Sequence, residues 1–232
     1  MAMQAYNPAM RVAVVSDVHC AGRDDPLQRE FISWLDALDA DALWMLGDIF
    51  HWGWAFDGAV QSAVQPVVDA LVRAQGRGIG LLFVGGNHDF AVGHALEEAL
   101  EIEIRGPHTR VVDGRSVFLA HGDEADRSMK YRLIRWVLRG RLFGGLIYWM
   151  GEVRGSKFLA DLAGEQKTDL FRETDRRARD WLQTQLVDGT TLAMCGHFHL
   201  ASTQRHDAGE VVTLGAGGGR AAVWLIDGVL LD

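Results

Sequence analysis

Val12-Ala13-Val14-Val15-Ser16 runs straight into Asp17-Val18-His19, and this passage from a short apolar run to a cluster of ligand-type side chains recurs along the chain. Ala42 to Leu46 leads into Gly47-Asp48, and Leu81 to Val84 leads into Gly85-Gly86-Asn87-His88-Asp89. Short apolar runs without polar alternation are expected of strands buried on both faces, as in parallel sheets. Pro26 to Leu38 and Gly58 to Gln75, between those runs, carry helical periodicity, so the N-terminal part reads β-α-β-α-β.

Beyond Glu101 the pattern changes. Strands are expected near Arg110 to Val112, Val117 to Ala120, Thr191 to Cys195, Ala201 to Arg205, Val211 to Leu214 and Ala222 to Ile226. A long helical stretch is expected from about Arg127 to Val187. The fold class expected is α/β, a layered sandwich with helical material inserted late.

At 232 residues the chain suits one globular domain, 1–232, with the insertion at about 127–165. A net charge of -8 excludes a general nucleic-acid binder, whose affinity comes largely from neutralising backbone phosphates. The two cysteines, Cys20 and Cys195, form no CxxC pair, and a reducing cytoplasm is the expected compartment. Met1 to Met10 lacks the basic start and apolar core of a secretory signal, and no run reaches the roughly 18 apolar residues needed to span a bilayer.

The polar clusters follow strands, where side chains at carboxyl ends converge on one crevice. In order they are Asp17-Val18-His19, Gly47-Asp48, Gly86-Asn87-His88-Asp89, His121-Gly122-Asp123 and Gly196-His197-Phe198-His199. Mixed carboxylate and imidazole donors suit Mn, Fe, Zn or Ni better than Mg or Ca, which prefer all-oxygen sets. The two-residue spacing in Asp17/His19 and His197/His199 would turn both members of each pair to one face of an extended segment. One such pair is weak evidence; five clusters at five strand ends are not accidental.

The series DxH, GD, GNHD, HGD, GHxH, spanning Asp17 to His199, resembles the motif series of the calcineurin-like metallophosphoesterases. The resemblance implies a β-sandwich flanked by helices and two divalent transition metals, Mn first among Mn, Fe, Zn and Ni. It implies Asp17, His19 and His199 on one ion, Asn87, His121 and His197 on the other, and Asp48 bridging them. His88 would stand near the leaving group, with Asp89 orienting it. Asp123 would fix a ligand imidazole or cap its loop.

Between Arg127 and Arg141 lie six basic residues and no acidic one, with apolar side chains interleaved, and Leu142 to Met150 then carries no charge. Such a stretch fits contact with an anionic membrane surface or a lipid-binding cleft, or a helical hairpin packed on the domain or on a second copy. A branch of the family with an insertion at this place acts on a nucleotide-linked glycolipid, UDP-2,3-diacylglucosamine, releasing UMP. That implies substrate contacts at Tyr131, Arg132, Arg135 and Arg139, and Trp52 lining the pocket. The branch has arginine where this chain has His88. A phosphatase or phosphodiesterase of soluble substrates and a non-catalytic metal-binding scaffold are the alternatives.

Overall fold

The computed structural model describes residues 10–51, 55–56, 59–60, 62–89, 93–126 and 169–231, with Met129, Trp149 and Arg154 between them. Two sheets face one another. The first has the order β13-β12-β1-β2-β5-β6, from β1 (Arg11–Val15), β2 (Ala42–Met45), β5 (Gly80–Val84), β6 (Ile104–Arg105), β12 (Val223–Ile226) and β13 (Val229–Leu231). The second has the order β10-β11-β9-β8-β7, from β7 (His108–Val112), β8 (Arg115–Ala120), β9 (Thr190–Cys195), β10 (Ser202–His206) and β11 (Gly209–Thr213). A small antiparallel pair, β3 (Ala55–Phe56) and β4 (Ala59–Val60), stands apart from both.

The apolar runs are continuous because both faces of these strands are covered. Val12 and Val14 of β1 join Trp44, Val84, Val117, Leu119, Leu192 and Met194 in the core between the sheets. Ala13 and Val15 point the other way, with Leu43, Met45 and Phe83, into a second core against α1 (Pro26–Ala37), α2 (Gln65–Gly76) and α3 (Gly93–Leu100). On the far face of the second sheet, Ala120, Ala193 and Cys195 meet Ala178 and Leu182 of α4 (Asp169–Gln183). The order of layers is helix, sheet, sheet, helix. It is the sandwich flanked by helices that the sequence led us to expect.

Helix α1 begins where Asp25 caps the Leu27 N–H at 2.9 Å and Pro26 occupies the first turn, the arrangement its sequence favours. The second helix starts later than its periodicity suggested. Ala59–Val60 is strand, and Pro66 opens the helix that begins at Gln65. Proline's fixed φ suits a first turn but not a helix interior, which a helix from Gly58 would have required. Of the expected stretch from Arg127 to Val187, α4 forms as described, and Met129, Trp149 and Arg154 are helical in backbone. The helix stops at Gln183, short of the expected Val187, because Thr184 to Val187 close tighter turns, and the remainder of that stretch, before Asp169, lies outside the described residues.

In the first sheet β1, β2, β5 and β6 are mutually parallel. In the second, β8, β9 and β11 are. Arg115, at the start of β8, ties the opposite end of the sandwich together. Its guanidinium donates to Gly228 O of the β12–β13 turn at 2.9 Å, to Thr191 O at 3.1 Å and to Glu210 Oε2 at 2.6 Å.

Candidate metal centre

The five polar clusters follow the carboxyl ends of β1, β2, β5, β8 and β9, and the two sheets bring those ends to one place. Backbone pairing continues past the strands and fixes the loops. Asp17 N–H donates to Gly47 O at 3.0 Å, His19 N–H to Asp48 O at 3.0 Å, Cys20 N–H to Ile49 O at 2.9 Å and His51 N–H to Cys20 O at 3.0 Å. The other sheet is joined on when His197 N–H donates to Asp17 Oδ2 at 2.7 Å.

The DxH and HxH pairs are not extended. Asp17 and His19 both have φ 53°, His197 has 71° and His199 57°, and Asp48 also has φ 53°. A left-handed residue on each side of Val18 and of Phe198 turns the chain there, so that Asp17 and His19 enter one donor group while His197 and His199 enter different ones. Such φ values cost non-glycine residues roughly 1–2 kcal/mol each, and strain of this kind gathers at functional sites.

Two groups of donors result. Asp17, His19 and His199 offer ligand atoms mutually within 4.8 Å, as do Asp48, His121 and His197. In the first, His199 Nε2 is 3.3 Å from Asp17 Oδ1 and 3.1 Å from His19 Nε2. In the second, His121 Nε2 is 3.1 Å from Asn87 Oδ1 and 3.3 Å from Asp48 Oδ2. All seven expected ligands are thus collected at one site.

Fitness for a cation can be judged from the second group. His121 Nδ1 lies 2.8 Å from Leu46 O, and a carbonyl only accepts, so that nitrogen carries the proton. In the neutral ring Nε2 is then an acceptor facing two more acceptors, Asn87 Oδ1 and Asp48 Oδ2. Three converging lone pairs require a positive centre, either a second proton on the ring or a metal ion. Burial opposes charge on His121, but Asp48, Asp17 and Asp123 outweigh it and raise its pKa well above the usual imidazole value. Asp17 Oδ1 is likewise buried without a hydrogen-bond partner among the described residues. The site is built for positive charge.

The remaining titrations follow the same logic. Burial, then the nearby His88 and His199 charges, depress His19 to about 4, and burial with His121 and His199 depresses His197 to about 4. Both therefore stand neutral, the state that ligates metal. Burial pushes Asp48 upward, but His121, His88 and His19 outweigh it and hold the carboxylate well below its usual range. Asp17 is lowered too, its burial overcome by His199 and His121.

Two glycines make the close approach possible. A Cβ on Gly196 would overlap Ser16 Oγ and Asp17 Oδ2, and one on Gly86 would overlap Asp48 Oδ1. Any side chain at either place would displace a carboxylate of the site.

Asp89 does something other than orient His88. Its oxygens accept the N–H groups of Asp48 at 2.5 Å, Phe50 at 3.2 Å and Gly86 at 3.2 Å. The His88 ring is instead turned by His51, whose carbonyl lies 2.5 Å from His88 Nδ1. Three backbone donors claim the carboxylate because the loop after β2 must be pinned across to the loop after β5. Burial, then the charge of Asp48, raises Asp89 to about 7 against the pull of the Phe50 and Gly86 N–H groups.

His51, whose place in the sequence suits a histidine behind the ligands or at the surface better than a further ligand, sits with its ring 5.8 Å from those of His19 and His88. Its signal was its place three residues past Asp48 in the same loop. Asp123 is buried at the head of a 3-10 turn (Asp123–Ala125). Cys20 and Cys195 are buried and unbridged, and burial drives the Cys20 thiol far up, away from a nucleophile's range. Trp52, Tyr131, Arg132, Arg135 and Arg139 lie outside the described residues.

The sequence profile of the calcineurin-like phosphoesterases matches residues 10–214. The chain belongs to the calcineurin-like phosphoesterase family. It is 31% identical over 196 residues to a UDP-2,3-diacylglucosamine hydrolase of Pseudomonas putida, covering 81% of each chain. To the enzyme of that name from Azotobacter vinelandii it is 33% identical over 134 residues, 56% of this chain and 55% of the relative, so that match spans about half of the relative's length. Among solved structures, an archaeal phosphodiesterase aligns over 93% of each chain at 13% identity and a TM-score of 0.49. A calcineurin-like phosphoesterase is a metal-dependent hydrolase, and the two Asp–His groups fit a binuclear divalent site. Among the described residues no helix is long and apolar enough to cross a membrane.

Proposed function

We propose that this phosphoesterase hydrolyses the phosphoanhydride of UDP-2,3-diacylglucosamine to UMP and the acylated sugar 1-phosphate, a step of the lipid A pathway. The observation that carries the reaction is the pair of adjoining Asp–His groups at the shared strand ends. The named activity of the similar bacterial hydrolases supports the substrate.

On this reading Asp17, His19 and His199 hold one ion, Asn87, His121 and His197 the other, and Asp48 serves both, with Mn the metal and Fe, Zn or Ni fitting the same donors. Two such ions, when bound, would supply Lewis acidity and lower the pKa of a water. The protein's own part is orientation. His121 is held by Leu46 O, and Asp48 by the Asp89 carboxylate. His88, with Nδ1 on the His51 carbonyl and Nε2 3.9 Å from Asp48 Oδ2, is placed to touch a phosphoryl oxygen or to pass a proton to the leaving oxygen. Asp89 acts through the Asp48 loop and is a positioning residue.

The basic stretch from Arg127 to Arg141 supplies Tyr131, Arg132, Arg135 and Arg139 for the headgroup phosphates, as part of an insertion at about 127–165 that covers the acyl chains. It also supplies peripheral attachment to the anionic inner face of the cytoplasmic membrane. One observation favours a second reading, hydrolysis of a soluble phosphodiester: His88 stands where the lipid branch of the family carries arginine.

Release of UMP from UDP-2,3-diacylglucosamine, measured with Mn and after chelation beside a chromogenic phosphodiester, separates the two. Chelator-sensitive UMP release well above the model ester supports the lipid substrate. Cleavage of the ester alone rejects it and leaves the soluble phosphodiesterase.

A further inference from the structure

A third group of donor atoms within 4.8 Å of one another joins His19, His51 and His88. It differs from the other two in chemistry: it contains no carboxylate. The ring centroids of His19 and His88 are 5.0 Å apart, and His51 is 5.8 Å from each. His88 is buried, whereas His51 is exposed, so the group runs from the metal centre outward to solvent.

The loop that carries His51 is held at four points. Asp89 accepts the N–H groups of Asp48 and Phe50, Cys20 O accepts that of His51, and the His51 carbonyl receives His88 Nδ1. Phe50 and Cys20 are also bridged in parallel. So fixed a backbone holds the His51 Cα–Cβ bond toward His88 and restricts where its exposed ring can reach, which is a measure of preorganisation.

The place of this all-imidazole group beside the two carboxylate-containing ones decides what it binds. With two divalent ions beside it, a third cation held only by neutral imidazoles would be repelled at short range, whereas an oxyanion would be drawn in. A neutral imidazole offers one N–H donor; that of His88 is spent on the His51 carbonyl, so the His51 ring is the donor, and a hydrogen bond from it to a charged phosphoryl oxygen is of the stronger kind.

We infer that His51 is a substrate-binding residue whose ring N–H donates to a non-bridging phosphoryl oxygen on the solvent side of the metal pair, beside His88. The inference rests on the two-metal reading above and extends its site by one residue. His19 belongs to the ions, and His51 stands outward of it, on the side open to solvent. The ligand class is a phosphate ester or anhydride, for which inorganic phosphate is the smallest probe.

The test is calorimetric titration of inorganic phosphate into the Mn-loaded full chain, as wild type, His51→Ala and His51→Gln, with metal content of each measured by mass spectrometry and folding checked by thermal melting. His51→Ala is expected to weaken phosphate binding about tenfold, the loss of one hydrogen bond to a charged group. His51→Gln keeps an N–H donor and is expected to recover part of it, with both ions retained in each variant. With the chromogenic ester, His51→Ala should raise KM more than it lowers kcat. Unchanged phosphate affinity in His51→Ala, or a wild type that binds no phosphate, overturns the inference while leaving the two ions in place. Loss of an ion from His51→Ala overturns it as well and makes His51 a ligand. A wild type without metal removes the two-metal reading first and this inference with it.

Discussion

The Asp89 carboxylate receives the Asp48 N–H at 2.5 Å across the gap between the loops after β2 and β5. The same two oxygens take the N–H groups of Phe50 and Gly86. One buried side chain therefore positions the backbone of the residue that lies between His121 and His88.

Replacing Asp89 by Asn would turn an amide N–H₂ toward at least one of these three backbone donors. The expected loss is about 2 kcal/mol for a buried group left unsatisfied, read from urea unfolding of the metal-free protein. Because the Asp48 loop moves with it, metal affinity should fall in the same variant. Stability and metal content equal to those of wild type would show that Asp89 does not hold the loop.

His88→Ala separates chemistry from metal binding. Its ring reaches toward Asp48 Oδ2 but belongs to neither carboxylate-containing group. Turnover of a chromogenic phosphodiester should drop on the order of 10²-fold or more, while mass spectrometry still finds both ions. Loss of an ion in proportion to activity would make His88 a ligand.

At the far end of the sandwich, Glu210 is held below the usual carboxylate range first by Arg115 and then, once burial is overcome, by Arg205. A carboxylate depressed in the folded state adds stability above its unfolded pKa and loses it as pH falls through the lower folded value. Glu210→Gln should therefore be less stable than wild type near neutrality, by about 1 kcal/mol for a pair that solvent still reaches. The gap should close as the pH falls below the ordinary glutamate value. A gap that persists in acid would mean that packing, and not charge, carries the effect.

Much of this was legible in the sequence because strand ends announce themselves. Val12 to Val15 and Ala42 to Met45 are apolar throughout since the two sheets and the helices bury both faces, and polar clusters could stand only where the strands stop. The polar clusters were read from those stops, and the resemblance of their motifs picked out of them the seven donors Asp17, His19, Asp48, Asn87, His121, His197 and His199. What the pattern did not carry was backbone sign: nothing in Asp17-Val18-His19 marks left-handed φ at both ends of the triplet. Nor did it reveal that Asp89 serves backbone N–H groups, because a carboxylate next to a histidine looks the same whether it faces a ring or a loop. The link from His51 to His88 was not legible either, since it is a carbonyl contact between loops thirty-seven positions apart, which no local periodicity encodes. The start of α2 was misjudged for a simpler reason: Ala59 and Val60 are apolar in either conformation.

The central claim is that Asp48 joins two ions in one catalytic centre, and the measurement that tests it most directly is the metal content of the purified full chain beside that of Asp48→Ala. The account predicts two divalent ions per chain in wild type, and neither firmly held in Asp48→Ala, with phosphodiester hydrolysis lost as well. A wild type that takes up no transition metal, or an Asp48→Ala variant that keeps both ions, would contradict it.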